Sequence, residues 1–150
     1  LQTRPEEIYR ALMEGIAFGK RMIIEQMERA GVRCRLLYAT GGVAKKNPLI
    51  MQIMADVLNR EIMVPAIANG SCMGSAMFGA VAAGRRGGGY DTIEEAVNAM
   101  GPPVGKTYIP SQSASVVYDA LFEMYREMYL YLGKDSSMLK RLAAMRGKEK

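Results

Sequence analysis

Apolar residues recur at helical spacing from the start of the chain, at Ile8, Leu12, Ile16, Ile23 and Met27, with charged side chains between them. That period predicts one long amphipathic helix running to about Ala30, with Gly31 as its stop. Thr3-Arg4-Pro5-Glu6 predicts its start: Thr3 caps, Glu6 closes the box, and Pro5 sits in the first turn. Gly15 and Gly19 lie close to the apolar face and allow near contact with a neighbour. The pattern then changes. Residues 33–40 read as a strand ending in Gly41-Gly42. Residues 48–59 read as a helix with Leu49, Ile50, Ile53, Met54, Val57 and Leu58 on one side. Residues 62–64 form a short strand ended by Pro65.

After a loop over residues 66–71 comes a helix of small residues, about 73–83. Its Gly74, Ala76, Gly79, Ala80 and Ala83 predict a neighbour packed closely on them. Residues 84–90 are a loop. Asp91 caps a helix over residues 92–100, with Glu94 completing the box and Gly101 stopping it. Residues 104–110 are extended. A last long helix, about 114–132, carries Val117, Leu121, Met124, Met128 and Leu132 at helical spacing, with Gly133 as its cap. The segment 134–150 predicts a short basic amphipathic helix around Met138, Leu139, Leu142 and Met145. Helices alternating with a few strands make the chain α/β, helix-rich with few strands. Only two strands are clear, so the sheet is expected to be completed by residues outside the chain.

At 150 residues the chain suits one domain or one lobe of a larger protein. With 49% apolar residues it can bury a core, and disorder is not the default. The net charge of +5 is spread along the chain. It fits a nucleotide or phosphate ester. Nucleic acid is not an expected partner, because basic and aromatic residues do not interleave. The absence of histidine excludes Ser-His-Asp and Cys-His systems and histidine metal sites. Cys34 and Cys72 share no metal-type spacing and read as two reduced thiols of a cytoplasmic protein. There is no signal peptide and no apolar run long enough for a bilayer, so no membrane partner is expected. The chain begins at Leu1 with a helix starting almost at once, and the expectation is a fragment of a longer polypeptide.

Several motifs compete for the chemistry. Gly101-Pro-Pro-Val-Gly105-Lys106-Thr107 has three residues between its glycines where a P-loop has four, and extended chain follows it instead of a helix. It reads as a connecting loop. Gly41-Gly42 is different, because strand, glycine turn and helix follow in order. Glycines without Cβ let the backbone pass close to a phosphate or an adenine ring. The helix N-terminus beyond offers free N–H groups and partial positive charge. An ordinary tight turn is the alternative. Asn47 caps the following helix whatever else it does. Lys45 and Lys46 either reach a phosphate or stay solvated. Gln52 and Asp56, one turn apart, are expected to make local hydrogen bonds. Asp56, Asp91 and Asp119 read as helix surface or caps, so no catalytic residue and no metal ligand is assigned. Tyr118, Tyr125, Tyr129 and Tyr131 read as packing residues, and the methionines as core filler.

The ordered segments EEIYRALMEGIAFGKR, LLYATGGVAKKNPLIMQIMADVLNREI, GSAMFGAVAAG and YDALFEMYREMYLYL together resemble the C-terminal part of the FGGY carbohydrate kinases, over about residues 4–133. That family belongs to the actin, heat-shock chaperone and hexokinase superfamily of ATPases. The resemblance implies part of an actin-like, ribonuclease H-like ATPase domain over residues 1–133, followed by a basic tail over 134–150. It implies ATP with Mg²⁺ as cofactors and transfer of the γ-phosphoryl group to a ketose hydroxyl. The KKNPLIMQ version points to the ribulose-phosphorylating branch, with xylulose and other ketose kinases as alternatives. Gly41 and Gly42 would match the adenosine motif. Lys46 stands where related kinases often carry an asparagine on the adenine side, and adjacent Asn47 is the alternative for that role. The segment from Gly74 to Gly79 would match the helix about which the lobes hinge. The family's sugar pocket, general base and phosphate loop lie upstream, so the ketose would be met by a missing N-terminal domain and the chain alone would be inactive. A non-catalytic nucleotide-binding or oligomerising module is the other reading, and a homodimer is left open.

Overall fold

The computed structural model of the chain describes residues 3–67, 69–135 and 137–146. The described residues form seven α-helices and three strands, and the chain divides into two units. The first takes Leu1–Arg33, Asp56–Asn59 and Pro110–Lys150. The second takes Cys34–Ala55 and Arg60–Ile109.

In the first unit, α1 spans Pro5–Arg29. Its cap sits one residue later than the Thr3–Glu6 reading: Arg4 N donates to Glu7 Oε2 at 2.9 Å. Pro5 occupies the first helical position, where its missing N–H costs nothing. Gly31, at φ +91°, ends the helix as expected. The buried face differs from the one the period predicts. Met13, Ala17 and Phe18 are buried, while Ile8, Leu12, Ile16 and Ile23 are each more than half exposed. The reason is aromatic. Helix α6, Gln112–Leu130, presents Tyr118, Phe122 and Tyr125 to Phe18, with ring centroids 6.1, 6.1 and 5.4 Å away. Rings bury more area than aliphatic side chains and so choose the paired face. On α6, likewise, Ser115, Tyr118 and Phe122 are buried, whereas Val117, Met124 and Met128 are exposed. Gly19 does allow a near neighbour, since a Cβ there would lie 3.8 Å from Tyr125 Oη. Gly15 has nothing within 4 Å.

Polar groups tie this unit together. Arg21 donates to Val57 O at 3.0 Å and to Asp119 Oδ1 at 2.6 Å, and its guanidinium lies 4.2 Å from the centroid of Phe122. Asp56 is 7% exposed, and its bonds reach beyond its own helix. Its Oδ1 accepts from Ser111 N at 2.8 Å, and its carbonyl accepts from Ser115 Oγ at 2.8 Å. It is a structural carboxylate at the start of α6. Tyr118 donates to Glu14 Oε1 at 2.9 Å and accepts from Arg10 Nη2 at 3.0 Å. Burial, and then the bond to Glu14, hold its phenol above the usual 10.0. A raised phenol pKa adds stability that is fully present below pH 10 and is lost as pH rises through the folded value. Thermal midpoints measured from pH 10 upward should therefore fall, and Tyr118→Phe should flatten that fall. A slope unchanged by the substitution would refute the assignment.

Past Leu130 the chain makes a π-helical turn, Tyr131–Asp135, so Gly133 lies inside a turn and does not cap α6. The expected tail helix is α7, Met138–Arg146, with Met138, Leu139, Leu142 and Met145 exposed. Ser136 and residues 147–150 of the predicted tail lie outside the described residues.

The second unit is built on a three-stranded sheet in the order β1-β2-β3. Strand β1 is only Leu37–Tyr38, shorter than the 33–40 read from sequence, and it pairs in parallel with β2, Ile62–Pro65. The third strand is the extended segment after Gly101. As β3, Val104–Tyr108, it runs antiparallel to β2, so the sheet gains a strand within the chain. The register shifts at Val64/Pro65, where proline has no N–H to give the ladder. Gly105 fits that bulge, since a Cβ on it would sit 3.1 Å from Ala66.

Helix α3 spans Pro48–Leu58, close to the expected range. Its Ile50, Met51, Ile53, Met54 and Ala55 are buried, a wider face than one stripe. Helix α4, Gly70–Ala83, starts earlier than predicted. Its Gly74 and Gly79 have nothing within 4 Å of a Cβ position, so the close-packed neighbour expected there is not provided by the described residues. Helix α5, Ile93–Met100, is capped by Thr92, whose Oγ1 accepts from Glu95 N at 3.2 Å. Asp91, the predicted cap, instead pairs with Arg85 at 2.9 Å. Tyr90 N donates to Ala80 O at 3.1 Å, and Gly89 runs so close that a Cβ would fall 1.9 Å from the same oxygen.

Candidate functional site

Strand β1 delivers the chain into Ala39-Thr40-Gly41-Gly42 at the carboxyl end of the parallel pair. In open α/β sheets that end is where ligands bind. Ala39 N still donates to Met63 O at 2.9 Å, which holds the loop's entry to the sheet. Gly41 then turns the chain with φ +94° and ψ −179°, a conformation essentially reserved for glycine. Gly42 opens a helix that the sequence reading missed, α2, Gly42–Lys46. The run between the glycines and Asn47 reads as a short polar link, and a five-residue helix has too few positions to show a period. Gly41 brings no side chain to cap α2. Neither Gly41 nor Gly42 has any atom within 4 Å of a Cβ position, so the space beside this backbone is open.

Asn47 does the structural work expected of it. Its Oδ1 accepts from Ile50 N at 3.1 Å and caps α3. The side-chain NH₂ keeps two donors beyond that bond. Lys46 ends α2 as an exposed residue. Lys45 has the better-defined surroundings. With Ala44, Pro48, Pro65, Lys106 and Tyr108 it lines a cleft of ≈ 290 Å³. Lys106 Nζ lies 4.6 Å from the Tyr108 ring centroid, so the cleft combines an apolar floor with two ammonium groups. The sequence weighed Lys45 but left Lys106 inside a rejected P-loop look-alike. Only the pairing of β2 with β3 brings it here.

The small-residue helix also meets this loop. Gly70, which starts α4, faces Thr40 so closely that a Cβ would lie 3.1 Å from Thr40 Cβ and Cγ2. The glycine loop and the small-residue helix are thus joined at one point. The remaining acidic candidates are engaged elsewhere: Asp56 at the start of α6, Asp119 with Arg21, and Asp91 with Arg85. Among the described residues no group of three Cys, Asp or Glu side chains stands close enough to hold a metal ion. No described helix is long and apolar enough to cross a membrane. Cys34 and Cys72 are both free thiols.

Comparison with known proteins places the chain in a family. The model of the FGGY family of carbohydrate kinases, C-terminal domain, matches residues 1–83. The ribulokinase of Bacillus licheniformis is 50% identical over 146 residues, which cover 97% of this chain and 26% of that protein. The ribulokinase of Halalkalibacterium halodurans is 46% identical over 147 residues, with 97% and 26% covered. The chain spans about a quarter of the length of these relatives. Among solved structures, the xylulose kinase from Rhodospirillum rubrum matches with a TM-score of 0.71 at 27% identity, covering 88% of this chain and 26% of that one. The gluconate kinase from Lactobacillus acidophilus matches with a TM-score of 0.72 at 21% identity, over 89% of this chain and 26% of that one, a likeness of fold alone.

Proposed function

This chain belongs to the FGGY family of carbohydrate kinases as a C-terminal domain, and from that premise we propose that it supplies the adenosine side of the ATP site in a kinase acting on a ribulose-type ketose. The observation that carries the proposal is the open backbone at Gly41 and Gly42, at the carboxyl end of the parallel strands. The ribulokinase names of relatives at 46–50% identity support the choice of sugar class.

In this reading the nucleotide lies against the peptide units of Gly41 and Gly42. Asn47 donates from its amide NH₂ while its oxygen stays on Ile50, and Lys46 adds positive charge beside it. ATP brings the transferable γ-phosphoryl group. In-line transfer also needs Mg²⁺, a base and a positioned acceptor hydroxyl. In the family this chain resembles, the sugar pocket, general base and phosphate loop lie upstream, so metal, base and sugar are met mainly by polypeptide beyond this chain. Residues 1–133 then form the nucleotide-binding segment and 134–150 a basic tail. The chain alone binds nucleotide without turnover, in the cytoplasm, where thiols such as Cys34 and Cys72 stay reduced.

The test has two arms. In calorimetric titration, this chain should bind MgATP or MgADP and ignore ribulose. A polypeptide of the relatives' length ending in this chain should consume ATP when ribulose is added. No ketose-dependent ATP consumption by the long polypeptide would overturn the proposal.

A further inference from the structure

We propose that Gly70 is a positioning residue for the nucleotide loop and acts through Thr40. The inference rests on the reading of Gly41-Gly42 as the nucleotide-facing loop. Gly70 is the first residue of α4, and it is not among the glycines with positive φ. Its backbone therefore does not require glycine. Helix propensity favours alanine over glycine as well. What a side chain there would press on is Thr40: a Cβ at Gly70 would lie 3.1 Å from Thr40 Cβ and Cγ2 and 3.5 Å from Oγ1, so Thr40 would have to give by a few tenths of an ångström. Favourable carbon–carbon contact begins at roughly 3.5 Å.

Thr40 is exposed, but its Cβ moves only with its backbone. It is β-branched and stiff at χ1. It is bonded directly to Gly41, which holds φ +94°, a value strained for any residue but glycine. A push on Thr40 is therefore passed to the glycine turn and is not absorbed by a rotamer change. The start of α4 acts as a stop that sets where the loop backbone lies. The other α4 glycines, Gly74 and Gly79, meet nothing within 4 Å, so the stop belongs to Gly70 and not to the helix as a whole.

The test uses the full-length kinase carrying this chain. Gly70→Ala should raise the KM for ATP by about fivefold, the scale expected of a sub-ångström misplacement. The KM for the ketose, the kcat and the melting midpoint should stay unchanged. Thr40→Gly removes the atoms that a new Cβ would strike. Adding Gly70→Ala to Thr40→Gly should then change the KM for ATP no further, a non-additivity that reports direct coupling. An unchanged KM for ATP in Gly70→Ala, while Gly42→Val weakens ATP binding, overturns this inference alone. Unchanged ATP binding in Gly42→Val overturns the reading beneath it. Full additivity in the double variant, or a loss shared equally by both KM values and the melting midpoint, would also overturn the role of Gly70.

Discussion

Gly42→Val is expected to weaken ATP binding at least tenfold, about 1.4 kcal/mol, with no loss of stability. The two halves of that expectation have separate causes. Gly42 is the first residue of α2, has no positive φ, and has nothing within 4 Å of its Cβ position. A Cβ therefore meets no clash in the protein, and valine is a better helix former than glycine. Its branches would instead occupy the open space in which the nucleotide is proposed to lie. Gly41→Val is the contrast. At φ +94° any side chain is strained, by about 1–3 kcal/mol. That variant should lose stability and affinity together. Titration calorimetry paired with thermal unfolding separates the two. ATP affinity in Gly42→Val within twofold of the parent would rule out the glycine loop as the ligand's seat.

Phe122→Ala is expected to destabilise the fold by about 3–5 kcal/mol, the range for deleting a fully buried ring. Phe122 is 0% exposed. It lies against Phe18 at 6.1 Å and under the guanidinium of Arg21 at 4.2 Å. Removing the ring leaves a cavity beneath an arginine that also holds Val57 O and Asp119. The loss should appear as a melting midpoint lower by roughly 10 °C for a chain of this size. On the same helix Val116→Ala, at a residue 60% exposed, should shift stability by no more than about 0.5 kcal/mol. Comparable losses in both variants would mean that the aromatic seam does not hold α1 and α6.

Much of the site was legible because its signals are local. The Gly-Gly pair after an apolar run, the Asn47-Pro48 helix start and the small-residue helix each declare themselves within a few positions. Asn47 caps α3 as its residue type predicts, since the bond to Ile50 spans a single turn. The family resemblance used the same local signals in order, and the match to residues 1–83 bears it out. Lys106 and Thr40 were not legible as site residues. Lys106 reaches the cleft only through antiparallel pairing of β3 with β2, and Thr40 matters only because Gly70 stops against it.

Apart from the short helix α2, the order and type of the elements came from the sequence by itself, because helix period, capping residues and glycine stops act within four or five positions. The same holds for the third strand as extended chain and for the absence of histidine chemistry. Tertiary structure alone decided which apolar face of α1 and α6 is buried. Each helix carries aliphatic and aromatic candidates, and only the meeting of Phe18 with Tyr118, Phe122 and Tyr125 chooses between them. It also gave Asp56 a partner 55 positions away, Ser111. A buried carboxylate must find donors wherever the fold brings them, and no local rule says where that will be.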